Sequence, residues 1–177
     1  MALLNVIRMG HPTLRQVAEP WPAEDIGNHE FQSLVEDMRE TMHDRGGIGL
    51  AAPQVNRSVQ VAVIEIDNTP TRYGDIPAVS FGVYVNPAIT VLDDTEEGYW
   101  EGCLSIPGLM GYVERPQHIR VDYLDAQGET QSLEVTGFLA TVFQHEFDHL
   151  QGRLYIDRIK DPRLLAFEEE YRNFHLS

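Results

Sequence analysis

The chain of 177 residues contains a single cysteine, Cys103, so no internal disulfide can staple it. Cations are scarce too: 13 Lys and Arg stand against 28 Asp and Glu, a formal net charge of −15. Broad contact with phosphate backbones requires clustered Lys and Arg, so this balance excludes a direct nucleic-acid partner. Nor is any run apolar for long enough to cross a bilayer, and no membrane partner is expected. Linkers, repeats and low-complexity tracts are also lacking. With 42% hydrophobic residues, the chain can bury one sizeable core, and residues 1–177 are expected to form a single domain.

The most informative segment that is present is His145-Glu146-Phe147-Asp148-His149. On a helix the two histidines sit one turn apart on one face and can share a metal ion, with Glu146 beside them as a base. A solvated helix face would carry the same letters. Phe138, Thr141 and Val142 lie seven, four and three residues before His145 and extend its stripe, which predicts an apolar cleft running into the ligands. The helix is predicted to start near Thr136-Gly137 and to stop at Gly152, a residue suited to the left-handed position after a helix end. A catalytic metal site normally has three protein ligands and one open position, so a third donor is needed. Cys103 is the candidate, in a segment bounded by turn-formers at Gly98 and at Pro107-Gly108; a small buried apolar residue is its ordinary alternative.

Three segments together resemble the signature motifs of the peptide deformylases. They are Gly47-Ile48-Gly49-Leu50-Ala51-Ala52-Pro53-Gln54, Glu101-Gly102-Cys103-Leu104-Ser105 and the stretch from Gln144 to Gly152. Met9-Gly10-His11-Pro12-Thr13-Leu14-Arg15 is similar to the family's N-terminal segment, so the likeness runs from about residue 5 to about residue 160. The resemblance implies one divalent metal ion held by Cys103, His145 and His149, usually Fe(II). A thiolate and two imidazoles also suit zinc, nickel or cobalt. It implies hydrolysis of the formyl group from N-formylmethionyl nascent peptides, with Glu146 moving the proton and the backbone N–H of Leu104 and the amide of Gln54 steadying the oxyanion. Ile48, Gly49, Gly102, Phe138, Thr141 and Val142 would bind the substrate, with the peptide extended against the glycine segment and Gly102. Asp148 and Arg115 are expected either to brace the site or to form a solvated salt bridge. Gln144 and Ser105 are expected as orienting partners. Many members of the family have arginine seven residues after the cysteine; Met110 stands there, so contact with the downstream peptide is expected to be weaker or differently arranged.

Strand-like runs occur at Val59–Glu65, Phe81–Val85, Ile89–Leu92, Ile119–Leu124 and Ser132–Val135, with a hairpin turn at Asp125–Gly128. Phe31, Leu34, Val35, Met38 and Met42 predict a helix over 29–44 ending at the glycines. The fold class expected is α+β: mainly antiparallel sheets around a central metal-binding helix, with an N-terminal and a C-terminal helix. Leu164, Phe167, Tyr171 and Phe174 mark one face of the C-terminal helix, expected to dock on the core rather than form a dimer seam. Some deformylases approach the ribosome through a basic C-terminal helix, whereas Glu168-Glu169-Glu170 leaves at most a transient encounter here. With neither a signal nor a transit segment at Met1, a bacterial-type cytoplasmic location is expected. Two rivals share parts of the pattern. A zinc endopeptidase seldom uses a cysteine ligand, and a structural zinc module would want a fourth protein donor.

Overall fold

A computed structural model describes residues 2–67 and 78–176. Its framework is a six-stranded sheet whose named strands all pair antiparallel. The strands are β1 (Gly49–Ala51), β2 (Val61–Ile66), β3 (Val79–Cys103), β4 (Ile106–Leu124), β5 (Thr130–Thr136) and β6 (Leu165–Phe167). They run β1-β2-β3-β4-β5, and β6 pairs with the other end of β4. Three α-helices, α1 (His29–Asp44), α2 (Phe138–Leu150) and α3 (Glu168–Phe174), and five short 3-10 helices accompany the sheet among the described residues. None of the described helices is long and apolar enough to cross a membrane.

β2 explains how the layers meet. Val61, Ala62, Val63 and Ile64 are all fully buried, because successive side chains point to opposite faces and each face has its own helix. Val61 and Val63 join Leu34, Met38 and Met42 of α1 in one cluster, with Val83 and Val85 of β3. Ala62 and Ile64 join Phe143, Phe147 and Leu150 of α2 in another, with Ile119 and Val121 of β4. A third cluster gathers Ile7, Leu14, Cys103, Ile106, Val113, Leu154 and Tyr155 below the turn between β3 and β4. Thus α2 lies with an apolar face on the sheet and its histidines toward Cys103.

α1 spans the predicted residues and is capped by the Asn28 side chain, which accepts from the Phe31 N–H at 2.8 Å. α2 ends at Leu150; Gly152 follows in the left-handed region at φ 68°, where its missing side chain also makes room for the Arg15 carbonyl. Departures from the sequence expectation concentrate in the sheet. The runs at Phe81–Val85 and Ile89–Leu92 belong to one strand, β3, which continues through Gly98 to Cys103. Gly98 is no turn: it pairs with Glu114, and the Tyr112 ring fills the space a side chain would take. Pro107-Gly108 likewise lies within β4, and the reversal is the two-residue turn Leu104-Ser105. The C-terminal stripe divides. Leu164 and Phe167 precede α3, Leu164 is half-buried, and Phe167 and Phe174 are exposed, so Tyr171, packed on Trp100, is the one of the four that is fully buried.

Candidate metal centre and substrate pocket

The turn between β3 and β4 sets Cys103 at the end of a strand, facing the buried side of α2. A ligand atom from each of Cys103, His145 and His149 lies within 4.8 Å of the other two. Sγ of Cys103 is 3.3 Å from Nε2 of His149. Bond lengths of about 2.3 Å to sulfur and 2.0 Å to nitrogen at a tetrahedral angle put such donors about 3.5 Å apart, so the spacing fits a shared ion. Donor chemistry fits as well. Burial alone would raise the Cys103 thiol, but the adjoining His149 and His145 override it and bring the group down to about 5. That favours the thiolate, the form that ligates metals.

The site rests on a buried chain of charges. His145 Nδ1 is 2.8 Å from Oε2 of Glu101, which turns its other nitrogen toward the thiolate. Glu101 receives Arg115 through both carboxylate oxygens, at 2.6 and 2.9 Å. Arg115 also donates to Asp148 at 2.8 Å, and Arg158 donates to both oxygens of Asp148 at 2.6 Å. Arg115 is only 1% exposed, so this is no solvated pair. Burial opposes ionisation of Glu101 and Asp148, yet Arg115 and Arg158 hold both carboxyls below the usual range. Asp148 and Arg115 were legible in the sequence. Glu101 has no motif role of its own in the sequence, although a strand through Cys103 puts the two residues on one face. Arg158 left no local signal.

Glu146 lies beside this set with Oε2 unpartnered and buried, and burial foremost raises its carboxyl above the ordinary value. An ideal side-chain carbon built on Gly49 would meet Glu146 Oε1 at 2.5 Å, so the glycine is what gives this carboxylate its room. Gln54 is oriented from behind. Its Oε1 accepts from the Ala51 N–H at 2.9 Å, which aims Nε2 at Cys103 Sγ, 3.5 Å away, and at Ser105 Oγ, 3.3 Å away. Ser105 therefore positions Gln54. Gln144 donates to the carbonyls of Pro116 and Ala140, bracing the chain rather than a ligand.

A narrow pocket opens onto these groups. Ile48, Gly49, Gln54, Gly102, Cys103, Leu104, Phe138, Thr141, Val142, His145 and Glu146 all line it, so of the metal, catalytic and substrate residues read from the sequence only the buried His149 does not line it. Ile48 and Gly49 lead into β1, at the edge of the sheet, instead of simply ending α1. Met110 does not reach this surface. It is 2% exposed and paired with Ala166 of β6, so an arginine there would have its stem in the core.

Known proteins with this arrangement share a single description. The family model for polypeptide deformylases matches residues 3–164. A peptide deformylase of Leptospira biflexa is 40% identical over 170 residues, covering 96% of this chain and 95% of its own. Peptide deformylase 2 of Pseudomonas syringae pv. tomato is 45% identical over 163 residues, covering 92% and 90%. Among solved structures, the Met-Ala-Ser-bound class I type b peptide deformylase of Acinetobacter baumannii superposes with a TM-score of 0.85 at 38% identity, covering 89% of this chain and 99% of that one. The deformylase of Synechococcus elongatus in complex with actinonin gives 0.78 at 37% identity, covering 90% and 80%. Sequence, fold and site agree, and the chain belongs to the polypeptide deformylase family, metal-dependent hydrolases that remove the N-formyl group from nascent peptides.

Proposed function

We propose that residues 1–177 act as one catalytic domain in which Cys103, His145 and His149 hold one Fe(II) ion, and Glu146, Gln54 and Leu104 carry out deformylation. The observation that carries the reading is the convergence of the three donors beside a buried, unpartnered Glu146 oxygen at the mouth of an apolar pocket. Iron is taken from the family resemblance. Zinc, nickel or cobalt fit the same donors.

When bound, the cation supplies Lewis acidity to the formyl oxygen and to water beside it. Glu146 accepts the proton of the attacking water as the new C–O bond forms at the formyl carbon. Charge gathers on the former carbonyl oxygen, and the Gln54 amide and Leu104 N–H donate to it; one such donor is typically worth about 3 kcal/mol. Glu146 then returns the proton to the leaving nitrogen as the C–N bond breaks, giving formate and a peptide with a free methionine amine. Burial raises its pKa above the ordinary carboxyl value, the direction that suits a group that both takes and gives a proton.

Specificity comes from the pocket. Ile48, Phe138, Thr141 and Val142 receive the methionine side chain, with the peptide extended along the edge strand β1 and Gly102. A ribosome encounter is at most transient, since α3 opens with Glu168, Glu169 and Glu170. The test is formate release from formyl-Met-Ala-Ser by anaerobically iron-loaded protein. Glu146→Ala should retain metal and lose nearly all turnover, and Cys103→Ala should lose both. A Glu146→Ala protein that still hydrolyses well would overturn the assignment.

A further inference from the structure

Beside the narrow pocket, whose volume is about 40 Å³, lies a far wider cavity of about 700 Å³. The two share Cys103 and Leu104, so a chain seated at the metal centre has this space beside it. The wide cavity is lined by Arg8 and Arg45 as well as His11 and Glu168. Two of these charges are already engaged: Glu168 pairs with Arg172 at 2.6 Å, and Arg45 contacts Asp44 at 3.4 Å. Arg8 has no ion-pair partner among the described residues. Arg153 is the other described cation without such a partner, but of the two only Arg8 lines this cavity.

Arg8 is also held in place by the catalytic segments. The Ile7 N–H donates to the Gln54 carbonyl and the Met9 N–H donates to the Ser105 carbonyl, both at 2.8 Å. Ile7 is buried against Cys103 and Ile106, while Arg8, its neighbour, is exposed on the cavity side. The strap therefore fixes the backbone that carries this guanidinium, anchored to two residues of the site.

We infer that Arg8, supported by Arg45, is a specificity determinant for carboxylate-bearing side chains in the first few residues after formylmethionine. Nothing precedes the formyl group, so a chain extending beyond the methionine pocket is necessarily the downstream peptide. A guanidinium meets a carboxylate through two parallel hydrogen bonds, which neutral or cationic side chains cannot offer. Met110 is buried under β6, so the cation available to this part of the substrate comes from the N-terminal strap instead.

The inference rests on the deformylase roles proposed above, and its test separates the two. C-terminally amidated formyl-Met-Ala-Glu, formyl-Met-Ala-Gln and formyl-Met-Ala-Lys remove the terminal carboxylate as a competing source of the same chemistry. At about 0.1 M salt, where charges more than about 10 Å apart are largely screened, the local pair is what remains. There the iron-loaded protein should favour Glu over Gln about three- to fivefold in kcat/KM, the scale of one exposed ion pair. Arg8→Gln should bring that ratio to about one, and Arg8→Glu should invert it in favour of Lys. Calorimetric binding of the product amide Met-Ala-Glu to the wild-type protein should weaken with added salt more than that of Met-Ala-Gln, a readout independent of turnover and of any variant's folding. Equal kcat/KM for the three peptides, with turnover intact, overturns the role of Arg8 alone. No formate from any of them overturns the catalytic roles on which it stands.

Discussion

At the scale of single residues, the site shows how much chemistry depends on an absent atom. Gly49 belongs to a strand with no positive φ, so its value lies in space rather than in backbone freedom. A methyl group there would collide with the end of Glu146, a side chain that can rotate away. Gly49→Ala should therefore cost about 1–3 kcal/mol of stability, as overpacking a buried site does, and misplace the proton-transfer group, lowering kcat by about 10²-fold or more, the usual contribution of a positioned acid or base. A thermal melt beside a kcat measurement separates these. A variant with full kcat would mean that Glu146 does not work from the position it holds here. Residue identity made this part of the site legible, because H-E-x-x-H, one cysteine and one Gly-rich segment each state a chemical requirement. Arg158 and the brace role of Glu101 were hidden, since each acts through another side chain and only the folded geometry brings them together.

At the scale of elements, helices were easier to read than strands. α1 carries a clean 3.6-residue stripe and an Asn cap, and its predicted bounds hold. β3 does not alternate: Asp93, Asp94, Glu96 and Glu97 interrupt it, and register shifts fall at Asp93 and between Asp93 and Glu96. Period-2 patterning therefore marks only its apolar ends. Gly98 and Pro107-Gly108 mimic turns because glycine and proline usually punctuate, whereas here a packed tyrosine and a strand interior accept them. One junction between elements yields a pH prediction. Arg39 of α1 grips Glu65 of β2 through both carboxylate oxygens at 2.8 and 2.6 Å and lies over the Phe81 ring of β3. The Arg39 hydrogen bond lowers the Glu65 pKa, despite burial that raises it. A depressed carboxyl stabilises the fold above its unfolded pKa, and that contribution is lost as pH falls through the folded value. Glu65→Gln should thus cost about 0.5–1 kcal/mol at pH 7, discounted for the exposure of Arg39, with the difference from wild type shrinking below about pH 4.5. Denaturant melts at pH 7 and pH 4 would reveal it, and an equal gap at both would show that shape, not charge, holds this junction.

At the scale of the whole molecule, the surplus of 15 negative charges opposes compaction, because like charges crowd together on folding. Salt acts on this surplus and on the ion pairs in opposite senses. It weakens surface pairs such as Lys160 with Glu96 and Glu114. It also screens the general repulsion, while the buried Glu101–Arg115–Asp148 chain lies too far from solvent to be much affected. With 28 anions against 13 cations, many acids stay unpaired even though Lys160 and Arg115 each serve two carboxylates. Repulsion should therefore dominate, and Tm should rise by a few degrees between about 0.05 and 0.5 M NaCl, since roughly 1 kcal/mol moves Tm by 2–4 °C at this size. A Tm that falls across that range would mean that surface pairs, not net charge, set the balance. The outcome also bears on substrate choice: a repelling field makes acidic peptides poor ligands everywhere except where a fixed cation stands, which is why one unpaired arginine at the rim of the site can be felt.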